Sequence, residues 1–115
     1  MPGKGDVLYG SLGLMVMKTL EALGPLHGYR IARRIEQISG DHLALNQGTL
    51  YPALHRLENR GWLSAEWKES DTGREAKFYK LTRKGRAQLS AEQASWHRLS
   101  DAVGLILAEP EGEPL

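Results

Sequence analysis

Between residues 47 and 57 the sequence interleaves hydrogen-bonding side chains with apolar ones. The apolar residues recur at the spacing of one helix face, which predicts that they pack inward and leave the polar residues on the outer face. Amide, hydroxyl and imidazole groups on such a face are suited to bonding the base edges and phosphates of a nucleic acid. The inward set is Leu50, Ala53, Leu54 and Leu57, and the outward set is Gln47, Gly48, Thr49, Tyr51, Pro52 and His55.

Most of the outward residues have both a candidate chemistry and an alternative. Gln47 can pair with adenine through two hydrogen bonds, and Thr49 can bond a base edge or contact a thymine methyl group. Gly48 lets the backbone approach a strand closely, while Tyr51 and His55 can reach a phosphate or a base edge. The alternatives are a buried Tyr51 with a satisfied hydroxyl and a Thr49 that caps the helix, which would not exclude contact. For Gln47 and His55 the alternative is simple solvation.

The net charge of +1 conceals an uneven distribution. Residues 68–86 hold seven Lys and Arg against three Asp and Glu, whereas residues 109–115 hold three Glu and no cation. Within the basic stretch we expect Arg74 and Lys77 to contact phosphates or the minor groove, the alternative being ordinary solvated charge.

A second phosphate-binding candidate opens a predicted helix at His27, Gly28 and Tyr29. The first backbone amides of a helix and the positive end of its dipole can hold a phosphate. The alternative is that Tyr29 belongs to the core and that packing requires Gly28.

The sequence gives little support for an enzyme. It has no glycine-rich phosphate loop, nucleophile elbow or metalloprotease pair, and without cysteine it has no thiolate or disulfide. His97 and Asp101 are four residues apart and could form a metal-sensing site across a dimer, but they supply only two ligands per chain. We therefore predict no metal and no cofactor. The four histidines fall on different predicted elements: His27, His42, His55 and His97.

Length and composition fit one globular unit, with 115 residues, 41% hydrophobic and 25% charged. The stretch from Leu12 to Leu23 is interrupted by Lys18 and Glu21, so we expect no membrane segment. The absence of cysteine suits the cytoplasm.

Glycines and prolines divide the chain into helices. After a loose start at residues 1–6, helical spacing from Leu8 to Leu23 predicts a first helix. A second helix of about three turns has Ile31, Ile35 and Ile38 on its buried face and ends at Gly40. The third begins after Asn46 or after Thr49, since either can cap it, and ends at Gly61. Pro52 favours the later start, because proline is tolerated best in the first turn.

After residue 61 the spacing of the apolar residues changes from a period of 3.6 residues, typical of a helix, to a period of 2, typical of a strand. Leu63, Ala65 and Trp67 alternate with polar residues, and residues 76–81 form a second run, so a β-hairpin is predicted with Trp62 and Trp67 in core or hairpin packing. Thr82 can cap a last helix that reaches about Ala108. The order of helices and hairpin is that of a winged helix-turn-helix.

The last helix carries a short heptad pattern that predicts a partner. Leu89, Trp96 and Val103 are seven residues apart, with Leu99 and Ile106 as the interleaved set. We expect this seam to form a homodimer, the alternative being a helix folded back on its own domain. At its centre Trp96 can line an aromatic-binding pocket or simply pack in the interface.

Several motifs together resemble the PadR family of bacterial transcriptional regulators over about 80 residues. They are Gly24-Pro25-Leu26-His27-Gly28-Tyr29, Gly48-Thr49-Leu50-Tyr51-Pro52-Ala53-Leu54-His55-Arg56-Leu57-Glu58, Gly61-Trp62-Leu63, Gly73-Arg74, and Tyr79-Lys80-Leu81-Thr82 with Gly85. Where the family's wing is often more densely basic, this chain has Glu75-Ala76.

The resemblance implies a cytoplasmic homodimeric repressor that binds an inverted repeat in double-stranded DNA. A small effector, often a planar aromatic in this family, would release it. The expected fold is mostly α with a β-hairpin, with a DNA-binding domain at residues 1–81, a dimerisation helix at 82–108 and a disordered acidic tail at 109–115. The alternative function is a winged-helix protein-interaction module that binds no DNA.

Overall fold

The computed structural model describes residues 4–109, with side chains from residue 11 onward. Within these residues four helices and three antiparallel strands alternate in the order of a winged helix-turn-helix, which confirms the predicted α+β fold. The elements are α1 (Lys4–Leu23), β1 (Leu26–His27), α2 (Gly28–Ile38), α3 (Gln47–Asn59), β2 (Leu63–Glu69), β3 (Glu75–Leu81) and α4 (Arg83–Leu107).

Two boundaries near the start of the chain differ from the prediction. α1 begins at Lys4, inside the segment that was expected to be loose. The short strand β1 was not predicted at all: Leu26 pairs with Tyr79 and His27 with Phe78, so the sheet order is β1-β3-β2. Two residues carry no periodicity, and their partners lie some fifty positions away, so local sequence could not reveal this strand.

The earlier of the two possible starts of α3 is the observed one. Asn46 caps the helix, and its Oδ1 accepts the backbone N–H of Thr49 at 2.9 Å, so the alternative of Thr49 as the cap is wrong. Pro52 therefore lies in the second turn, where it has no N–H to donate to the carbonyl of Gly48. Gly61 follows the helix with φ of 79° and supplies the left-handed residue that was predicted there.

The core fills the space between the helices and the base of the hairpin. Ile38 was predicted on the apolar face of α2 but is 65% exposed, and Leu23 is also exposed. Both border an open groove between α1, α2 and α4. The predicted inward face of α3 is confirmed in full. The buried apolar residues are Leu12, Val16, Met17, Leu20, Ile31, Ala32, Ile35, Leu45, Leu50, Ala53, Leu54, Leu57, Leu63, Tyr79, Leu81 and Leu89.

The hairpin formed by β2 and β3, residues 63–81, is called the wing below and projects away from this core. Its register runs from Leu63 opposite Leu81 to Glu69 opposite Glu75. Leu63 is buried at the base, but Trp67, four residue pairs further out on the same face, is 64% exposed. Trp67 was expected in core or hairpin packing, and its exposure shows that it does not belong to the core. Trp62 is half-buried against the core, as predicted.

α4 is joined tightly to the end of α3. Thr82 caps it as predicted, accepting the N–H of Gly85 at 2.9 Å, and the same hydroxyl donates to the carbonyl of Gly61 at 2.7 Å. A Cβ on Gly85 would collide with the carbonyl oxygen of Trp62. The helix ends at Leu107 with Ala108 as its C-cap, which confirms the predicted end.

The C-terminal residues 110–115 of the predicted acidic tail lie outside the described residues. Among residues 4–109, no helix is both long and apolar enough to cross a bilayer.

Candidate nucleic-acid interface

One groove, called here the wing groove, brings together more than half of the residues predicted to face DNA. It lies between the hairpin and the start of α2, with a volume of about 640 Å³. Arg30 and Trp67, which were not predicted to face DNA, line it as well. The predicted residues along it are His27, Gly28, Tyr29, Tyr51, Arg74 and Lys77.

The Tyr51 ring of α3 rests on the start of α2. A Cβ built on the buried Gly28 would lie 2.7 Å from Tyr51 Cε1, so any side chain there would displace the ring. The alternative that Gly28 is required by packing is therefore confirmed. Tyr51 itself is 42% exposed and is not the core aromatic that the other alternative described.

Tyr29 and His27 flank that contact with different degrees of freedom. Tyr29 is 61% exposed, so its assignment to the core is wrong. His27 is half-buried and caps α2, with Nδ1 accepting the N–H of Arg30 at 3.4 Å. Its ring packs edge-on against Phe78, with the centroids 5.2 Å apart. The sheet thus fixes His27, while Tyr29 is free to meet a ligand.

The first turn of α3 presents its polar residues beside this groove. Gln47 and Gly48 are exposed and Thr49 is half-buried. Gln47 lines an adjoining groove that it shares with Tyr29 and Tyr51.

His55 and Pro52 are also exposed, further along the helix. The structure therefore brings Gln47 close to the aromatic residues, whereas Gly48, Thr49 and His55 line neither groove.

Lys77 has a partner within the chain. Its Nζ lies 2.9 Å from Oε1 of Glu58 on α3, and both side chains are half-buried. The hydrogen bond that Lys77 donates to Glu58 raises the pKa of Lys77 above its ordinary value, so the ammonium stays charged. Lys77 also lies 5.3 Å from the centre of the Tyr79 ring. The expected free cation is thus part of a tether between the wing and α3.

The tip of the wing carries more acid than base. Ser70 closes the turn by donating its N–H and its hydroxyl to the carbonyl of Arg74, at 2.7 and 2.8 Å. The side chain of Arg74 is exposed. Glu69 and Glu75 face each other across the last rung, and Asp71 lies in the turn between them. Like charges placed directly opposite destabilise a hairpin.

Comparison with known proteins decides the family. The model of the PadR-like transcriptional regulator family matches residues 16–91. The chain belongs to the PadR family. A PadR-like transcription factor of Bacteroides fragilis is 37% identical, with 90% of this chain and 96% of that one covered and a TM-score of 0.71.

Two further relatives are also transcriptional regulators. A PadR family regulator of Eggerthella lenta is 30% identical, with 91% and 88% covered and a TM-score of 0.75. A transcriptional regulator of Mycobacterium tuberculosis is 36% identical over 77 residues, which are 67% of this chain and 58% of that protein. Membership makes the protein a transcriptional regulator and not an enzyme, and DNA-binding regulation is the work of this family.

In this PadR chain the predicted seam on α4 divides into two parts. Leu89 is only 1% exposed and packs in the chain's own core, so it does not belong to a surface that a second copy could cover. The other predicted seam residues, together with two neighbours, are exposed: Trp96, Leu99, Val103, Leu105, Ile106 and Leu107.

Trp96 lines a groove of about 460 Å³ between α1, α2 and α4, here called the apolar groove. Its walls are largely aliphatic, with Lys18, Arg34 and His97 among the polar residues. The apolar residues along it are Leu14, Met15, Ala22, Leu23, Ile35, Ile38 and Leu43.

Local sequence offered no reason to separate Lys77 from Arg74, because the pairing of Lys77 with Glu58 joins residues 19 positions apart. Trp67 was missed because its alternation with polar residues resembled that of a strand in the core.

For the metal candidate, His97 and Asp101 are both exposed, and no group of three or more potential ligands that could hold a metal occurs among the described residues.

Proposed function

We propose that the protein is a homodimeric repressor that inserts α3 into the major groove of an inverted-repeat operator and lays the wing beside it. The observation that carries this proposal is the wing groove, where exposed Tyr29, Tyr51 and Arg74 share one concave surface next to Gln47. A helix flanked by a hairpin is the geometry with which winged helix-turn-helix proteins meet a duplex.

Within that arrangement we propose that the start of α3 reads the bases and that the wing groove positions the protein on the DNA backbone. Gln47, Gly48 and Thr49 are at the helix end that enters the groove first, where amide and hydroxyl groups meet base edges. The outward residues Tyr51 and His55 contact a phosphate or a base edge further along the helix.

The remaining predicted residues position the protein on the strand. Arg74 and Tyr29 contact phosphates through their exposed side chains, while the buried Gly28 and the capping residue His27 hold the start of α2 in position. Lys77 acts through Glu58 by holding the wing against α3.

The second half of α4 supports the dimer. A row of exposed Leu, Val and Ile side chains on a long helix is costly in water and is covered when two copies pair. We propose that residues 1–81 bind DNA and that residues 82–108 dimerise, with Leu89 belonging to the core and Trp96, Leu99, Val103 and Ile106 to the interface.

We further propose that a planar aromatic effector binds beside Trp96 and lowers DNA affinity. The apolar groove is large enough for a small molecule, and its walls are aliphatic and aromatic, as ligand pockets commonly are. We expect the protein to act in the cytoplasm.

Selection of bound fragments from random duplex DNA, using the purified protein, tests the proposal. We expect an inverted repeat whose half-sites are about one helical turn or a multiple apart. Affinity for the selected duplex should fall steeply with salt as counterions are released. Recovery of no sequence, together with no binding of any duplex at low salt, would favour the protein-interaction module instead.

The selected duplex also tests the residue assignment. Gln47→Ala is expected to relax the preference at one base step, by about 1–3 kcal/mol of discrimination. Arg74→Ala is expected to weaken all duplexes alike and to reduce the salt slope by about 1. If Gln47→Ala left the selected sequence unchanged, Gln47 would not read a base.

A further inference from the structure

The outer face of α2 carries three arginines, of which only Arg30 also lines the wing groove. Arg30, Arg33 and Arg34 recur at helical spacing opposite the buried Ile31 and Ile35, and all three are exposed. Together they line a concave surface of about 710 Å³, here called the arginine face. The other residues along this face are Leu23, Leu26, Tyr29 and Gln37. Within residues 11–109, no carboxylate lines it.

Two of the three guanidinium groups are available to a ligand. Arg33 donates to Oε1 of Glu36 at 2.9 Å, so that carboxylate partly neutralises its charge. Among the described residues, the side chains of Arg30 and Arg34 have neither an ion pair nor a hydrogen bond. Arg30 and Arg34 are one turn apart, about 6 Å along the helix axis, so they can reach two separate anionic groups.

The arginine face is continuous with the wing groove. Arg30 lines both, and Tyr29 lines both as well as the groove beside Gln47. The wing tip, in contrast, has Glu69, Asp71 and Glu75 around Arg74. The positive charge that can attract a polyanion is therefore stronger along α2 than at the tip.

We propose that the arginine face binds the sugar-phosphate backbone of duplex DNA next to the site where α3 enters the major groove. The inference rests on the proposed DNA-binding function and adds a contact surface to it. DNA is favoured over an acidic protein because the arginine face adjoins the surface of α3 through Tyr29. Guanidinium groups bond phosphate oxygens through paired N–H donors, independently of base sequence.

The test measures binding of a fluorescently labelled 30-base-pair duplex of mixed sequence over a series of NaCl concentrations. Phosphate contacts do not depend on sequence, so no operator is needed. We expect the Arg30→Gln/Arg34→Gln variant to lower the magnitude of the slope of log affinity against log salt by about 1.8 per chain, which is about 0.9 for each phosphate that the variant no longer neutralises. Affinity should fall about tenfold at the lowest salt and converge with wild type as salt rises.

Three controls separate charge from structure. Arg30→Lys/Arg34→Lys keeps the charge and should retain most of the slope. Arg98→Gln removes an exposed arginine of α4 that donates to Ser95, and it should leave the slope unchanged. Arg34 also borders the apolar groove, so the single variant Arg30→Gln, with an expected change of about 0.9 per chain, tests for a phosphate contact without altering that groove.

The outcomes separate this inference from the proposed function. If wild type binds the duplex and Arg30→Gln/Arg34→Gln binds it with the same affinity and slope, the arginine face makes no DNA contact and the inference is wrong, while the proposed function stands. Unchanged DNA binding with arginine-dependent binding of a poly-glutamate peptide would also overturn it, in favour of an acidic protein partner. A wild-type chain that binds no duplex would overturn both.

Discussion

The two halves of α4 have the same helical backbone and opposite surroundings. In the first half, Gly85 and Leu89 are buried against the domain, and Thr82 ties the helix to the end of α3. In the second half, every residue from Ser95 to Glu109 is exposed, including five aliphatic side chains. Apolar side chains along one helix therefore have two different surroundings: those of the first half stabilise the domain, and those of the second half form the surface that we propose pairs with a second copy.

The largest test of this contrast uses two glycines of the same helix. Gly85→Ala is expected to lower the free energy of unfolding by upwards of about 3 kcal/mol, because the carbonyl of Trp62 cannot move away easily. Gly104→Ala has open space around it and should stabilise the helix by up to about 1 kcal/mol. Thermal unfolding followed by circular dichroism compares them. Equal effects of the two substitutions would break the contrast.

A similar pair tests apolar side chains. Leu89→Ala leaves a cavity in the core and should cost about 2–3 kcal/mol at any chain concentration. Val103→Ala should change stability only as far as it weakens association, so its effect should diminish as the protein is diluted. Denaturant unfolding at two chain concentrations distinguishes them. A stability change for Leu89→Ala that depends on concentration would contradict its placement in the core.

Trp96→Glu tests the boundary between the halves. A carboxylate at this partly exposed position is tolerated in the monomer but costly in an apolar interface, so the variant should sediment as a monomer with an unchanged circular dichroism spectrum. Sedimentation velocity measures it, with Arg98→Gln as a control that keeps the dimer. An intact dimer would show that Trp96 lies outside the seam.

The smallest expected effect concerns the pH dependence of stability that one hydrogen bond gives to the domain of residues 1–81. Glu36 Oε2 accepts the N–H of Leu45 at 3.0 Å, and this bond, aided by Arg33, lowers the pKa of the carboxyl below its ordinary value. Its contribution to stability is present above the unfolded pKa and is lost as pH falls through the lowered one, from about pH 5 downward. Glu36→Gln should therefore flatten the acid side of a curve of unfolding free energy against pH. An unchanged curve would mean that the bond to Leu45 adds no stability.

The sequence predicted the features that depend on local contacts and missed those that depend on distant ones. The inward face of α3 and the limits of α4 depend on spacing and caps, so they were predicted correctly from Leu50, Leu57, Thr82 and Ala108. Leu89 was assigned to the seam because a heptad pattern does not say whether its partner is the same chain or another. The structure alone decided that question.

The sequence predicted which residue types share the candidate site, but it did not predict their individual contacts. Residue types placed Tyr29, Tyr51 and Arg74 at a common surface, and the structure brings them to one groove. The ion pair of Lys77 with Glu58 and the exposure of Trp67 depend on how far the hairpin projects, which no local pattern records. Arg30 was overlooked because the outer face of an amphipathic helix ordinarily needs no explanation beyond solvation.

The contacts at Thr82 attach the first turn of α4 firmly to the domain, so the rest of the helix must turn with the domain. The hydroxyl bonds of Thr82 and the tight approach of Gly85 clamp one end of the helix to the domain, and 25 residues give the helix a length of about 37 Å. Turning such a helix by about 10° displaces its far end by about 6 Å, nearly twice the roughly 3.4 Å rise of one nucleotide along a strand. If two copies pair through α4 as proposed, a slight change of angle between the two helices would thus shift the two α3 helices out of register with successive major grooves.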